Sequence, residues 1–328
     1  MKTILVTGGA GFIGNNFIKY MLNKYPKYKI INLDSLTYAG DEKNLSDVAS
    51  NPNYHFIKGD ITDSPLVDSI VKNGVSYIIN FAAESHVDRS IESPLIFAMT
   101  NVVGTGVLLE SARKYGVSKF IQISTDEVYG SLGLTGYFTE KSILAPSSPY
   151  SASKASADLL VLAYHRTYNL PVNITRCSNN YGPYQLPEKL IPLMICNAFM
   201  NKPLPVYGQG TNIRDWIHVE DHCRGIDLIL NKGKNGEVYN IGSSNEISNI
   251  VIVKSILSIL NRSESLIEHV EDRKGHDFRY AIDFTKIKTE LGFEPKHEFN
   301  SGLRETVNWY LENVDWWRKK DQIYLATM

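Results

Sequence analysis

The chain has 328 residues, 43% hydrophobic and 21% charged, which is ordinary for a globular protein able to bury a core without disulfides or metal. Its formal net charge of −1 gives no global electrostatic case for nucleic-acid binding, so any anionic ligand must be held by local groups. Cys177, Cys196 and Cys223 are widely spaced and form no CxxC pair, which argues against a zinc site or disulfide framework and for a reducing, cytoplasmic setting.

Residues 2–7 read as a buried strand, followed by a glycine-rich turn and a helix near 12–24. Because a strand pattern starts at once, we expect no leader segment. Strands follow at 29–34 and 54–58, then a helix near 64–73 and a strand at 76–81. A long helical pattern covers about 91–115. A strand at 119–124, a helix near 150–168 and a strand at 172–176 complete the alternation. This pattern predicts an α/β fold, a doubly wound parallel sheet of Rossmann type with right-handed crossovers. Beyond 177 the elements are shorter and rich in Pro, Gly and Asn. We expect residues 1–177 to form the dinucleotide-binding domain and 178–328 mainly a smaller substrate-binding lobe, interleaved with the end of the sheet. No apolar run approaches the roughly 20 residues of a membrane span, so no membrane role is expected.

The first turn carries Gly8, Gly11 and Gly14 between a strand and a helix. That spacing suits a tight turn, close approach of backbone to a pyrophosphate, and close helix packing, with the anion on free N–H groups of the helix start. Asp34 ends the second strand 20 residues past Gly14. A carboxylate there accepts hydrogen bonds from an adenosine ribose and repels a 2′-phosphate, which favours NAD over NADP. Asp60 and Ile61, after the third strand, are weaker candidates for flanking the adenine.

Tyr150 and Lys154 share one helical face at i and i+4. A phenol of pKa about 10 is a poor base at neutral pH, and a nearby ammonium stabilises its phenolate. Tyr150 can then take a hydroxyl proton while hydride leaves for a nicotinamide. The fifth strand runs into Thr125, Asp126 and Glu127, at the strand ends that face the ligand crevice. Thr125 can share the substrate hydroxyl with Tyr150. Two successive carboxylates suit an elimination, one as base and one as acid. Neighbours in an extended segment point to opposite sides, so one of them facing solvent stays open at this point.

Together these segments resemble the dTDP-glucose 4,6-dehydratases, extended short-chain dehydrogenase/reductases. The resemblance runs nearly the whole chain and rests on TGGAGFIG (7–14), LDSLTYAG (33–40), AAESHVDRSI (82–91), ISTDEVYG (123–130), PSSPYSASKAS (146–156), CSNNYGPYQLPEKLIPL (177–193), IRDWIHVEDH (213–222), YNIG (239–242) and DRKGHD (272–277). It implies oxidation of the sugar at C4 with Tyr150 as base, removal of the C5 proton by Glu127, protonation of the departing C6 hydroxyl by Asp126, and return of hydride to C6. It further implies that Phe12, Ile13, Ser35, Leu36, Thr37, Phe81, Ala82, Ala83, Ser85, Thr100 and Asn180 join the glycines, Asp34, Asp60, Ile61, Tyr150 and Lys154 around NAD. Substrate would meet Ser85, Thr125, Asn179, Lys189, Leu190, Pro205, Val206, Tyr207, Arg214, Asn249, Asp272, Arg273 and His276. Lys189 and Arg214 supply the charge a diphosphate needs. Lys274 stands where relatives often carry Pro, which blurs nucleobase preference.

A UDP-glucose 4-epimerase needs no Asp-Glu pair, and a UDP-glucuronate decarboxylase needs cationic groups for a carboxylate that no dedicated motif supplies. A non-catalytic binding protein of the same fold would be expected to lose Tyr150 or Lys154, and both are present. No metal is expected. The helix carrying Leu159, Leu160, Val161, Leu162 and Ala163 is apolar all round. With the 91–115 helix it is expected to form a homodimer interface, a pairing the family resemblance also implies.

Overall fold

The structure, a computed structural model, describes residues 2–272 and 275–326. Its strands are β1 (Thr3–Thr7), β2 (Lys29–Asp34), β3 (Tyr54–Lys58), β4 (Tyr77–Asn80), β5 (Lys119–Thr125), β6 (Val172–Cys177), β7 (Asn179–Tyr181), β8 (Leu204–Tyr207), β9 (Ile213–His218), β10 (Val238–Ile241), β11 (Glu246–Ser248) and β12 (Ile267–Val270). Seven of them form one parallel sheet in the order β10-β6-β5-β4-β1-β2-β3. The order reverses at β1: the chain runs outward through β2 and β3, then crosses back to β4. The crevice beyond the carboxyl ends of β1 and β4 is where such sheets bind ligands.

Both faces of this sheet are covered, which is why β5 and β6 are buried from end to end. One face packs under helices Phe12–Lys24 and Val219–Lys232, the other under Ser64–Val71, Thr105–Tyr115 and Pro149–Tyr168. Strands β11, β9 and β7 form a small second sheet, and β12 pairs with β8. A separate core of Met194, Trp216, Ile256, Val307 and Trp317 joins helices Leu190–Phe199, Asn249–Ile259 and Phe299–Glu312. All three cysteines are free and buried.

The structure departs from the single helix expected over 91–115. One helix, Val87–Glu92, ends at Ser93, and Pro94 starts the next rod, because proline has no N–H to continue the ladder. The rod then loosens to π-helical geometry over Ala98–Gly104 before Thr105–Tyr115. Asn101 in that loosened turn reaches across to Glu84: its amide donates to the Glu84 carbonyl at 3.0 Å and its carbonyl accepts the Glu84 N–H at 2.9 Å. The expectation of no run near membrane-span length also needs correcting. Pro94–Tyr115 is 22 residues long and, by length and composition alone, apolar enough to cross a membrane. It is that apolar because it covers the sheet on one side and carries further apolar side chains on the other.

Candidate active site

The glycine turn is tight because its neighbours leave no room for a side chain. A Cβ on Gly14 would lie 2.4 Å from the Gly8 carbonyl oxygen. Gly8 itself sits at φ +67°, in the left-handed region, and a Cβ there would strike the backbone of Ala82 at 2.6 Å. Asp34 caps this turn from below. Its Oδ2 accepts the Ala10 N–H at 2.9 Å and its Oδ1 the Leu36 N–H at 2.8 Å. Burial raises the Asp34 carboxyl, and those two backbone donors oppose the rise.

One continuous cleft runs from this turn across the sheet ends. It is lined by Gly8, Gly11, Phe12, Ile13, Gly14, Asp34, Ser35, Thr37, Asp60, Ile61, Phe81, Ala82, Ala83, Ser85, Thr100, Thr125, Asp126, Glu127, Tyr150, Lys154, Asn179, Asn180 and Lys189. Leu36, at φ 53°, is not part of that lining and contributes its N–H to Asp34. Residues that sequence reasoning missed line the same cleft, among them Glu84, Gln185 and Glu188. Glu188 stands beside Lys189 in a motif already singled out, which was the available signal.

At the reacting end, Ser148 and Ser151 form a reciprocal capping box and Pro149 opens the helix, which fixes Tyr150 in the first turn. Tyr150 is buried with the edge of Phe97 against its ring at 6.3 Å. Lys154 donates to the Ile123 carbonyl at 2.6 Å. Burial pushes the Tyr150 phenol well up, with Glu127, Cys177 and Asp126 adding to it and the Thr125 hydroxyl opposing. Burial also lowers the Lys154 ammonium, which Asp158 counters. The sequence argument had the ammonium lowering the phenol. Burial and the Glu127 and Asp126 carboxylates raise it instead.

Asp126 and Glu127 are not part of an extended segment. Thr125 ends β5 and its hydroxyl accepts the Glu127 N–H at 3.3 Å, starting a 3₁₀ turn over Asp126–Tyr129. In that turn both carboxylates line the cleft, so the strand-alternation argument does not apply. Asp126 is 1% exposed, and its Oδ2 has no hydrogen-bond partner among the described residues. Burial pushes its carboxyl well above the ordinary carboxylate range. Glu127 and Asp215 add to the rise, and Arg214 opposes it.

The other sequence-derived substrate residues lie outside the cleft lining, in the smaller sheets and adjoining loops. Pro205, Val206 and Tyr207 belong to β8, with Val206 turned into the core. Arg214, on β9, donates to the Asp277 carbonyl at 2.9 Å and stacks 4.2 Å over the Tyr280 ring. His276 bonds Asp272 at 2.7 Å and presents its ring edge-on to Tyr207 at 6.0 Å. Leu190 starts the helix after Lys189. The Asn249 N–H donates to Asn212 at 3.0 Å, while its side-chain oxygen is buried without a partner among the described residues. Arg273 and Lys274 lie outside the described residues. Arg214 and Tyr280 connect this group to the carboxylates: Arg214 acts on Asp126, and Glu127 raises the Tyr280 phenol.

His218, Glu220 and His297 bring ligand-capable atoms within 4.8 Å of one another, a cluster the sequence did not reveal. His218 Nδ1 accepts the Glu220 N–H at 3.3 Å, which leaves the proton on Nε2, and His297 Nδ1 is taken by Asp221 at 3.0 Å. That tautomer sets His218 against metal ligation, and its ring packs on His297 at 4.0 Å between centroids.

Residues 5–306 match the GDP-mannose 4,6 dehydratase family. A dTDP-glucose 4,6-dehydratase from Xanthomonas campestris is 51% identical, covering 96% of this chain and 95% of its own. The crystal structure of a dTDP-glucose 4,6-dehydratase from Bacillus anthracis in complex with NAD is 55% identical, with TM-score 0.93 over 98% of this chain and 100% of that one. A dTDP-glucose 4,6-dehydratase from Streptomyces venezuelae, also with NAD bound, superposes with TM-score 0.95 at 50% identity over 97% and 99% of the two chains. With the Asp-Glu turn, the Tyr-Lys helix and the glycine turn on one cleft, these matches place the chain in the dTDP-glucose 4,6-dehydratase family, among the extended short-chain dehydrogenase/reductases.

Proposed function

We propose that the chain converts dTDP-glucose to dTDP-4-keto-6-deoxyglucose, with NAD as a cofactor that is restored in each turnover. The observation that carries this is the adjacency of Asp126 and Glu127 on the cleft wall beside Tyr150. A simple oxidation needs only Tyr150 and Lys154. Loss of water across C5 and C6 needs a base and an acid as well.

Gly8, Gly11 and Gly14 leave the close backbone approach a pyrophosphate requires, and the cleft reaches from Asp34 to Tyr150, so the residues present fit a dinucleotide. Bound NAD supplies a hydride acceptor and gives the hydride back. Tyr150 takes the proton of the C4 hydroxyl, and binding of a positively charged nicotinamide ring nearby would lower the phenol that burial has raised. Glu127 removes the C5 proton, made acidic by the new ketone. Asp126, held protonated by burial, donates to the leaving C6 hydroxyl. Lys189 and Arg214 bring cationic groups for the diphosphate, and Asn179, Asn249 and Tyr207 provide polar and stacking contacts for the rest of the nucleotide sugar. The test is direct: purified protein given dTDP-glucose should yield a product lighter by one water. UDP-glucose and GDP-mannose should turn over far more slowly. An isomer of unchanged mass would instead support an epimerase.

The working unit we propose is a homodimer in the cytoplasm. Ile91, Leu95, Met99 and Val103, together with Leu159 on the neighbouring helix, are exposed, Leu95 at 78%. A second copy of the same face would cover them.

A further inference from the structure

Three segments beyond the strand ends touch one another. The loop after β2 carries Tyr38; the segment after β4 carries His86 and runs into the helix Val87–Glu92 with Arg89; the loop after β7 carries Glu188, which lines the cleft. In the sheet, β2 and β4 flank β1. A contact between the loops after β2 and β4 therefore crosses the turn after β1, where a pyrophosphate would lie. Such a contact exists: the Arg89 guanidinium sits 3.9 Å from the centroid of the Tyr38 ring. The Tyr38 hydroxyl lies 3.4 Å from Glu188 Oε1 on the third loop.

The arrangement is held from below. His86 caps the helix Val87–Glu92, its Nδ1 accepting the Arg89 N–H at 3.4 Å, which points Nε2–H toward Glu188 Oε2 at 4.0 Å. The Lys189 ammonium donates to the Ser85 carbonyl at 3.1 Å, tying the second and third loops. The Glu188 side chain is only 3% exposed, and its Oε2 has no hydrogen-bond partner among the described residues. Such a carboxylate is costly unless neighbouring cations offset it, and Lys189 and Arg89 do so against the burial that raises it.

We propose that Tyr38, Arg89 and Glu188 form a strap across the cleft that retains the dinucleotide between turnovers. The proposal rests on the NAD reading above. A cycle that returns its hydride does not require the cofactor to leave, so a closed strap costs no turnover. None of the three residues belongs to the acid, base or oxidation machinery; they are positioning residues.

The test is the exchange of bound NAD for radiolabelled NAD in the purified holoenzyme. Arg89→Ala and Tyr38→Ala should each release NAD about tenfold faster, the scale of one cation–π contact. The double variant should be little faster than either alone, because both break one contact. Tyr38→Phe keeps the ring on Arg89, loses only the Glu188 bond and should lie between. Thermal midpoints of the NAD-stripped variants should fall by less than those of the holo forms, since the contact supports the fold in both but also holds the cofactor in the holo form. Exchange at the wild-type rate in both alanine variants would overturn the strap, as would stripped forms that melt as far below the wild type as the holo forms do. Wild-type protein that neither retains nor binds NAD would instead overturn the cofactor reading beneath it.

Discussion

Asp126 shows how one buried side chain can be prepared for a single proton transfer. Its carboxyl is taken out of water, set beside Glu127 and Asp215, and left with one oxygen unpartnered among the described residues, all of which favour the protonated acid. We expect Asp126→Asn and Glu127→Gln each to reduce turnover by about 10²–10⁴-fold while still reducing bound NAD when sugar is added. Tyr150→Phe should suppress that first reduction. Stopped-flow absorbance of the reduced nicotinamide separates the two classes. The pH dependence carries a sign. Asp126 acts only while protonated, so the elimination should fall as pH rises through its raised pKa, and this alkaline limb should vanish in Asp126→Asn. The unfolded chain ionises this group near the ordinary value of 3.8, so the wild type loses stability as pH rises from there toward the native value. Asp126→Asn should therefore melt no lower than wild type at pH 8, a separation of stability from activity that calorimetry can read. The pair itself was legible in the sequence. Its shared orientation was not, because it depends on Thr125 closing a 3₁₀ turn where strand geometry was assumed.

At the scale of elements, the alternation of strands and helices located the first six strands of the main sheet to within a few residues, because buried parallel strands are short apolar runs with turns between them. The glycine turn was equally legible, and its geometry makes a sharp test. Gly14→Ala would place a methyl 2.4 Å from the Gly8 carbonyl oxygen, so the turn must open. We expect the variant to lose bound NAD, read by nucleotide recovered after denaturation, and to melt several degrees lower. The helix over 91–115 was legible as helical but not as a break at Ser93 followed by α, π and again α geometry. The break follows from Pro94, and the π turn accompanies the Asn101 bonds to Glu84, a contact between residues 17 apart that periodicity does not encode. Its outer face gives a second test. Leu95→Asp changes a side chain already 78% exposed in the single chain, so by itself it should cost the subunit little, within about 0.5 kcal/mol. Sedimentation should show wild type as a dimer and this variant shifted to monomer; equal dimerisation of both would place the interface elsewhere.

Across the whole molecule, the division between legible and illegible follows sequence distance. The cofactor end of the cleft comes from local motifs at successive strand ends, and nearly every residue expected there lines it. The residues expected to meet substrate on β8 and β9 and at Asn249, Asp272 and His276 lie outside that lining, and only resemblance to a known family connected those segments in advance. The structure links them to the chemistry through Arg214 and Tyr280, and the latter carried no motif of its own. The electrostatic logic is also global. With a net charge of −1 the chain has no basic surface to spare, so the cations near the expected diphosphate, Lys189 and Arg214, are individually placed and tied to backbone carbonyls. The central claim is that this cleft oxidises, eliminates and reduces in one cycle. Its most direct test is turnover of dTDP-glucose in heavy water with mass spectrometry of the sugar. We expect a product that has lost one water and gained one solvent deuterium at C5. A product of unchanged formula, or a dehydrated sugar with no deuterium at C5, would contradict it.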